Sequence, residues 1–278
     1  MNPMAFAMIL FPLLIAGLAA AVPSNRWRPW LLPATAVAHM VTMLVVLLEP
    51  SFADCGKWLK LDPASRVVML VVDSLFMLCA FYAVGYLHKR QERPNRVFCA
   101  CMLAFPGIMS MVTWSHHLGL MWVAIEGTTL ITAPLIYFNH TPRSIEATWK
   151  YLIVCSVGIA LALLGTFCLA YAALKGGCET TLSFDELLVQ APNLSKPWLH
   201  AAFVLLLVGY GTKMGLAPMH TWKPDAYGES PGVVGAIFAG GVTSCAFLAL
   251  LRIYQICLAA GETEYVSRLL LFIGLFSM

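Results

Sequence analysis

Long apolar stretches separated by short polar connections recur along the whole chain. A helix needs about 20 mostly apolar residues to cross the hydrocarbon core of a bilayer. The pattern predicts eight complete spans, at residues 4–22, 29–48, 66–87, 97–114, 118–138, 151–173, 200–219 and 232–258. A ninth span begins near Leu269. None of them alternates between apolar and polar positions over about ten residues, as the strands of a membrane barrel do. The sequence therefore predicts an all-α fold, a polytopic transmembrane helical bundle.

The composition excludes a soluble protein. Apolar residues make up 60% of the chain, charged residues only 11%, and the mean hydropathy is +0.80. Soluble domains are about 45–50% apolar and about 25% charged. The 17 Lys and Arg residues barely exceed the 14 Asp and Glu residues, and no basic run is interleaved with aromatic residues. The predicted surroundings are a lipid bilayer, and no nucleic-acid partner is expected.

The distribution of charge between alternate loops predicts the orientation, because cytoplasmic loops are enriched in Lys and Arg. Nine basic residues follow the odd-numbered spans: Arg26, Arg28, Lys89, Arg90, Arg93, Arg96, Arg143, Lys150 and Lys223. The other loops hold six: Lys57, Lys60, Arg66, Lys175, Lys196 and Arg268. We therefore expect the N-terminus outside and the loop around residues 90–96 in the cytoplasm.

The cysteines and the familiar short motifs offer little chemistry. Cys55 and Cys178 fall in loops assigned to the outer face, where a disulfide between them is one possibility in an oxidising compartment. Cys99 and Cys101 have no matching pair, so no metal site is predicted. The sequence has no phosphate loop, dinucleotide fingerprint or nucleophile elbow. The function must therefore depend on charges within the membrane, where ionisable residues usually mark ion pathways.

Glu126 is one such charge, in the middle of the fifth span (LMWVAIEGTTLI). Trp122 and Thr129 share its helix face, and Pro134 frees a backbone carbonyl one turn further along. An acid beside hydroxyl groups and a freed backbone carbonyl can bind a chain of hydrogen-bonded water molecules. The alternative is an acid that only pairs with a neighbouring helix.

Lys213 is a second buried charge, in the seventh span (VGYGTKMGLAP). Glycines flank it, and Pro218 is expected to break the helix by removing an amide and clashing with the carbonyl of Met214. Broken helices at membrane depth are tolerated where they line a cavity or are buried in protein. A lysine that snorkels to the membrane surface is the alternative.

Asp73 lies within the third span and has no comparable setting. It could pair with Arg252 or lie in a water-filled groove.

Two sequence blocks resemble a known family. Gly211–Ala226 (GTKMGLAPMHTWKPDA) resembles the broken-helix signature of the antiporter-like proton-pumping subunits of complex I, of Mrp-type antiporters and of energy-converting group 4 NiFe hydrogenases. Leu120–Tyr137 and Glu146–Tyr151 (EATWKY) look most like the hydrogenase component F branch. The resemblance implies a buried Glu126–Lys213 pair whose attraction changes as protons move. It implies a proton-translocation role also for Lys150, and places His220 at the end of the break.

The same resemblance implies a domain organisation. Residues 1–96 would form the first three transmembrane helices, residues 97–258 the first five-helix antiporter repeat, and residues 259–278 the truncated start of helix nine. The second inverted repeat of the family would then be missing. We expect a truncated gene model, a fragment, or a chain that another polypeptide completes.

The leading functional hypothesis is a proton-translocating membrane subunit of a multi-subunit redox complex. The complex would be of the membrane-bound hydrogenase, formate hydrogenlyase or NADH:quinone oxidoreductase type, in a bacterial or archaeal inner membrane. No cofactor is expected in this chain; NiFe and Fe–S centres would belong to partner subunits in a peripheral redox module. The alternatives are a stand-alone Na⁺/H⁺ or K⁺/H⁺ antiporter and a non-pumping scaffold.

Overall fold

A computed structural model of the chain describes residues 3–278 and shows an all-α bundle. Its α-helices are α1 (Met4–Ala21), α2 (Leu31–Leu48), α3 (Pro63–His88), α4 (Arg96–Trp114), α5 (Leu118–Ile136), α6 (Pro142–Lys175), α7 (Phe184–Gln190), α8 (Lys196–Met214), α9 (Trp222–Glu229), α10 (Gly232–Ile237), α11 (Thr243–Ala259) and α12 (Thr263–Phe276). One π-helical turn, Phe238–Val242, joins α10 to α11 without a break. No strand occurs within residues 3–278, so the predicted fold class is confirmed.

Seven helical segments within the described residues are long and apolar enough to cross a membrane. They contain α1 to α6 and the continuous helix from α10 to α11. The seventh predicted span corresponds to α8, which falls outside this group. The ninth predicted span corresponds to α12, which begins at Thr263 and not near Leu269. The protein is a multi-pass membrane protein.

The sixth span begins earlier than predicted, at Pro142 and not at residue 151. Thr141 and Ser144 form a capping box, in which each side chain satisfies the backbone amide of the other. Pro142 occupies the first helical position, where its missing amide costs nothing. Local capping chemistry therefore starts α6 more than two turns before the apolar run begins.

Helices α6 and α8 are antiparallel and pack with their backbones in close contact. A Cβ on Gly209 would lie 2.6 Å from the carbonyl oxygen of Gly158, and one on Gly165 would lie 2.7 Å from Cγ of Leu206. Small residues of this kind let membrane helices approach without lipid between them. The contact brings the C-terminal end of α8 against the N-terminal half of α6.

The loops divide between two faces of the bundle, as the alternation of spans predicts. On one face, Arg28 donates to the side chain of Asn95. Arg93 donates to the carbonyl of Asn139 at 2.7 Å, and the Asn139 amide donates to the carbonyl of Glu229 at 2.9 Å. We call this the basic face.

The opposite face carries most of the acidic residues, and ion pairs hold its loops together. Lys60 lies 2.8 Å from Asp185 of α7, and Lys196 lies 2.7 Å from Glu262. Hydrogen bonds from Lys196 and, with a smaller effect, from His200 hold the pKa of Glu262 below its usual value. Glu262 immediately precedes α12, so these contacts fix the start of α12 against α8. We call this the acidic face.

The two loop cysteines lie on the acidic face and no disulfide joins them. Cys55 is buried, whereas Cys178 is half-buried and its thiol donates to the carbonyl of Gly176 at 3.8 Å.

The predicted break in this span is present, and a glycine makes the turn that ends α8. Gly215 has a left-handed backbone, with φ of 79°. The amide of Leu216 donates to the carbonyl of Gly211 at 2.8 Å, and the amide of Gly215 donates to the carbonyl of Thr212 at 3.1 Å. This pair of bonds is the Schellman motif, a common way to end a helix. Pro218 lies beyond the end of α8, and the helix is broken after Met214, where the sequence predicts the break.

Replacing Gly215 should therefore disrupt the break. A left-handed conformation costs a non-glycine residue roughly 1–2 kcal/mol, and a Cβ at this position would also overlap the side chain of Lys223. We expect Gly215→Ala to lower the thermal unfolding midpoint of the purified protein in detergent. Gly228→Ala is the matched control, because Gly228 lies in α9 and a Cβ there would have no neighbouring atom within 4 Å. Equal midpoints for the two variants would contradict the assignment.

Candidate functional site

Lys213 lies in the last turn of α8 and is only 1% exposed. Its ammonium group donates to the hydroxyl of Thr129 at 2.9 Å and to the hydroxyl of Tyr151 at 2.8 Å. A buried ammonium without partners would be strongly destabilising. Two hydroxyls from α5 and α6 therefore replace part of the water that the charge loses.

Glu126 is reached from Lys213 through a single hydroxyl. Thr129 donates to one carboxylate oxygen of Glu126 at 3.2 Å while it accepts from Lys213. The spacing of three residues places Thr129 and Glu126 on one face of α5. Among the described residues no ion pair joins Lys213 to Glu126 directly. The structure thus brings the two predicted residues together with Thr129 between them.

A second branch of the network leads from Lys213 back towards α5. The hydroxyls of Tyr151 and Thr132 lie 2.7 Å apart, and Thr132 donates to the carbonyl of Thr128 at 2.6 Å. The single hydrogen of Thr132 is thereby used, so Tyr151 donates to Thr132. Every hydrogen bond in both branches therefore points away from Lys213.

This polarity has a chemical consequence. A proton can pass from Lys213 to Thr129 as the hydroxyl hydrogen of Thr129 passes to Glu126. The lysine becomes a neutral amine and the glutamate a neutral carboxylic acid, and every other atom can keep its place. The charges of the buried ammonium and the half-buried carboxylate disappear in the same step, so no uncompensated charge is left in the low-dielectric interior.

Glu126 also contacts α6, and its carboxylate is half-buried. Ser156 donates to the second carboxylate oxygen at 3.3 Å. The indole of Trp122, one turn earlier on α5, donates to the carbonyl of Ile159 at 2.8 Å. These two bonds fix the part of α5 that carries Glu126 against α6.

Lys150 lies outside this network, towards the basic face. Its ammonium group is 2.8 Å from Asp225 of α9 and 2.7 Å from Glu146. The Lys150 side chain is 48% exposed. Lys150 therefore joins the start of α6 to the segment after the break, and its neighbour Tyr151, not Lys150 itself, contacts Lys213.

His220 does not join the network either. It is exposed and lies in the turns between α8 and α9, where its carbonyl accepts from the amide of Lys223 at 2.9 Å. The indole of Trp222 reaches back and donates to the carbonyl of Thr212 at 2.9 Å. Lys223 donates to the carbonyl of Met214. Both side chains therefore satisfy backbone carbonyls at the end of α8.

Asp73 does not pair with Arg252, which was one of its two predicted settings. Arg252 instead donates to Asp62 at 3.3 Å and to Ser65 at 2.8 Å, at the acidic-face end of α3. Asp73 contacts His39 of α2. Along α3, Asp73 lies about two turns further from the acidic face than Ser65, which places it beyond this cluster.

Sequence reasoning missed Tyr151 and Ser156 as members of the site. The predicted sixth span started at residue 151, which would place Tyr151 at the membrane surface. Because α6 begins at Pro142, Tyr151 lies well inside the helix. The capping pattern Thr-Pro-x-Ser before the apolar run could have indicated the earlier start.

The chain forms a bundle of transmembrane helices, and one helix is broken just after a buried lysine that is linked to a carboxylate. This arrangement is typical of ion-translocating membrane proteins. Residues 115–278 match the family described as NADH:quinone oxidoreductase/Mrp antiporter, TM. The chain belongs to this family. The predicted resemblance is thereby confirmed.

Curated relatives agree with this assignment. The chain is 32% identical over 265 residues to a hydrogenase-4 component F homolog of Methylacidiphilum infernorum, covering 92% of this chain and 55% of the relative. It is 29% identical over 235 residues to NADH-quinone oxidoreductase subunit N of Myxococcus xanthus, covering 83% of this chain and 44% of that subunit. The chain therefore spans about half the length of the curated relatives it matches.

Solved structures show the same fold. A chain of the archaeal membrane-bound sulfane sulfur reductase matches with a TM-score of 0.84 and 19% identity, over 97% of this chain and 56% of that chain. A chain of respiratory complex I from Thermus thermophilus matches with a TM-score of 0.75 and 25% identity, over 90% of this chain and 53% of that one. These similar proteins are subunits of multi-subunit membrane complexes.

The hydroxyl of Thr129 should be required for communication between Lys213 and Glu126. Thr129→Val keeps the shape of the side chain but removes both hydrogen bonds. If this site moves protons, we expect Thr129→Val to reduce proton uptake strongly, measured in vesicles that contain the purified protein, without a change in its folding. Thr128→Val is the matched control, because within residues 3–278 the buried hydroxyl of Thr128 bonds only to the carbonyl of Ile125, at 2.7 Å. Equal activity in the two variants would show that the bridge carries no protons.

Proposed function

We propose that the chain is a proton-translocating membrane subunit of a multi-subunit redox complex. The hydrogen-bonded line Lys213–Thr129–Glu126 is the single observation that carries this proposal. It joins a buried base to a half-buried acid at the break of a membrane helix, and its donors all point from the base to the acid. Membership of the family and the similarity to hydrogenase and NADH-quinone oxidoreductase subunits support the same conclusion.

The proposal includes the source of energy. The complex is of the membrane-bound hydrogenase, formate hydrogenlyase or NADH:quinone oxidoreductase type. Its NiFe and Fe–S centres lie in partner subunits of a peripheral redox module. Electron transfer there would change the electrostatic potential at the membrane charges, and the Lys213–Glu126 line would respond by moving a proton.

A stand-alone antiporter that exchanges Na⁺ or K⁺ for protons is the second candidate, because the matched family includes Mrp antiporters. The two functions differ in their driving force. Proton movement that follows an applied Na⁺ or K⁺ gradient without any electron donor would support the antiporter. Proton movement that requires an electron donor and acceptor would support the redox complex.

The two charges of the line should be essential for transport. We expect Glu126→Gln and Lys213→Met each to abolish proton uptake by vesicles that contain the purified complex, because neither variant can exchange a proton along the line. Assembly should remain intact, as judged by the elution of the complex on gel filtration.

Two exposed residues of the same types provide matched controls. Lys175→Met and Glu179→Gln remove charges at the acidic face that lie outside the line, since both residues are exposed. We expect both controls to retain uptake. Normal uptake in either Glu126→Gln or Lys213→Met would contradict the proposal.

The proposal also includes the orientation, with the basic face in the cytoplasm of a bacterial or archaeal cell and the N-terminus outside. A membrane-impermeant thiol reagent applied to intact cells should then label Cys178, and a Cys178→Ser variant should lose the signal. In that Ser background, Gln91→Cys should be labelled only after the membrane is opened, because Gln91 is exposed on the basic face. The reverse pattern would overturn the orientation.

A further inference from the structure

The continuous helix from α10 to α11 contains one π turn, Phe238–Val242. The amide of Thr243 donates to the carbonyl of Phe238, and the hydroxyl of Thr243 donates to the same carbonyl at 3.1 Å. A π turn holds one more residue than an α turn, and such turns are rare and often lie at functional sites. The side chain of Thr243 therefore stabilises an unusual turn locally.

The glycines of the π turn lie against two helices of the N-terminal half. A Cβ on Gly240 would overlap Cδ2 of Leu75 in α3, and a Cβ on Gly241 would overlap Cζ of Phe105 in α4. Packing as close as this leaves the backbone little freedom to move. Helices α3 and α4 therefore fix the position of the π turn, and with it the position of Phe238.

The side chain of Phe238 contacts the Lys213 site. It is fully buried, and its ring centroid lies 5.5 Å from that of Tyr151, with 49° between the ring planes. The ring of Trp222 meets Phe238 edge-on at 6.2 Å and lies 5.0 Å from the ring of Tyr151. Aromatic rings at these distances and tilted angles attract each other. Two buried rings, those of Phe238 and Trp222, thus contact the ring of Tyr151.

The orientation of the Tyr151 ring decides both of its contacts with Lys213. The ammonium group donates to the Tyr151 hydroxyl at 2.8 Å and lies 4.7 Å from the centroid of the same ring. Helix α6 fixes the backbone of Tyr151, but the side chain can change its rotamer unless its neighbours prevent this. Trp222 is itself held by its hydrogen bond to the carbonyl of Thr212. Phe238 has no polar atom in its side chain, so its ring lies where the π turn places it.

We propose that Phe238 is a positioning residue of the Lys213 site: the π turn places its ring against Tyr151, and the ring keeps the Tyr151 hydroxyl on the Lys213 ammonium. Without this ring, Tyr151 is free to turn away, and the ammonium keeps one hydroxyl partner, that of Thr129. A buried ammonium that loses an acceptor is destabilised. The inference rests on the proposed function, because it concerns the same lysine, but the link from Phe238 to the Tyr151 hydroxyl is testable without transport.

A double-mutant cycle separates positioning from simple filling of the core. The measured quantity is the thermal unfolding midpoint of the purified protein in lipid nanodiscs. Tyr151→Phe removes the hydroxyl and keeps the ring that Phe238 contacts. We expect Phe238→Leu to lower the midpoint in the wild-type background and to lower it less in Tyr151→Phe, because no hydroxyl is then left to misplace. Equal lowering in the two backgrounds would show that Phe238 only fills space, and the proposal would be overturned.

Phe98→Leu is the matched control for the cycle. Phe98 is also a buried aromatic residue, and its ring lies 4.7 Å from that of Phe138, in a pair that does not include Tyr151. Its effect should be equal in the two backgrounds, and the same dependence on the Tyr151 hydroxyl as for Phe238 would count against the proposal. If Phe238→Leu does not fold, Phe238→Met takes its place, since the flexible methionine side chain fills irregular space without an aromatic ring.

Thr243→Val tests the part played by the π turn. This variant removes the hydroxyl that donates to the carbonyl of Phe238 and leaves the ring of Phe238 intact. We expect it to lower the midpoint more in the wild-type background than in Tyr151→Phe. Equal effects would overturn the assignment of the π turn as the element that places Phe238.

Proton uptake by vesicles that contain the purified complex is the second readout. We expect Phe238→Leu to slow uptake and Phe98→Leu to leave it unchanged. Unchanged uptake in Phe238→Leu would overturn the link from Phe238 to the proton line. An absence of uptake in the wild-type protein would contradict the proposed function, whereas the midpoints of the cycle would still decide whether Phe238 positions Tyr151.

Discussion

The burial of one ammonium group, that of Lys213, is the constraint on which the rest of the site depends. Moving an unpartnered ammonium from water into a protein interior costs several kcal/mol. Hydroxyls from two other helices offset part of this cost, and each must lie within hydrogen-bonding distance. The positions of α5, α6 and α8 are therefore coupled, since a displacement of any of them would expose Lys213 or leave it without a partner.

Close packing of α6 against α8 meets this requirement. The glycine contacts between these helices let their backbones touch, so Tyr151 in the N-terminal half of α6 reaches the end of α8. The Schellman motif then stops α8 one residue after Lys213, and Gly215 turns the chain away. Had α8 continued as a regular helix, the next turn would have occupied the space where Trp222 now covers the carbonyl of Thr212.

The sequence was sufficient for the fold class, and it singled out Glu126 and Lys213, since both depend on strong local signals. An acid and a lysine inside apolar runs are costly enough to stand out, and the structure joins the two through Thr129. Two other features depended on local capping. Gly215 in a Schellman motif ends α8, and a capping box moves the start of α6, so that Tyr151 was misplaced. The partner of Asp73 depended on tertiary packing, which residue spacing within one helix does not report.

The hydroxyl between Lys213 and Glu126 makes the site easier to switch than a direct ion pair would be. Two opposite charges in contact at low dielectric attract each other strongly, and separating them leaves both uncompensated. Thr129 avoids this state, because a shift of two hydrogens neutralises the base and the acid together. The charged and the neutral forms share one arrangement of heavy atoms and differ in their dipole. Under the proposed function, a change of potential from a neighbouring subunit would then select between the two forms with little rearrangement of the bundle, which suits a proton line held by closely packed helices.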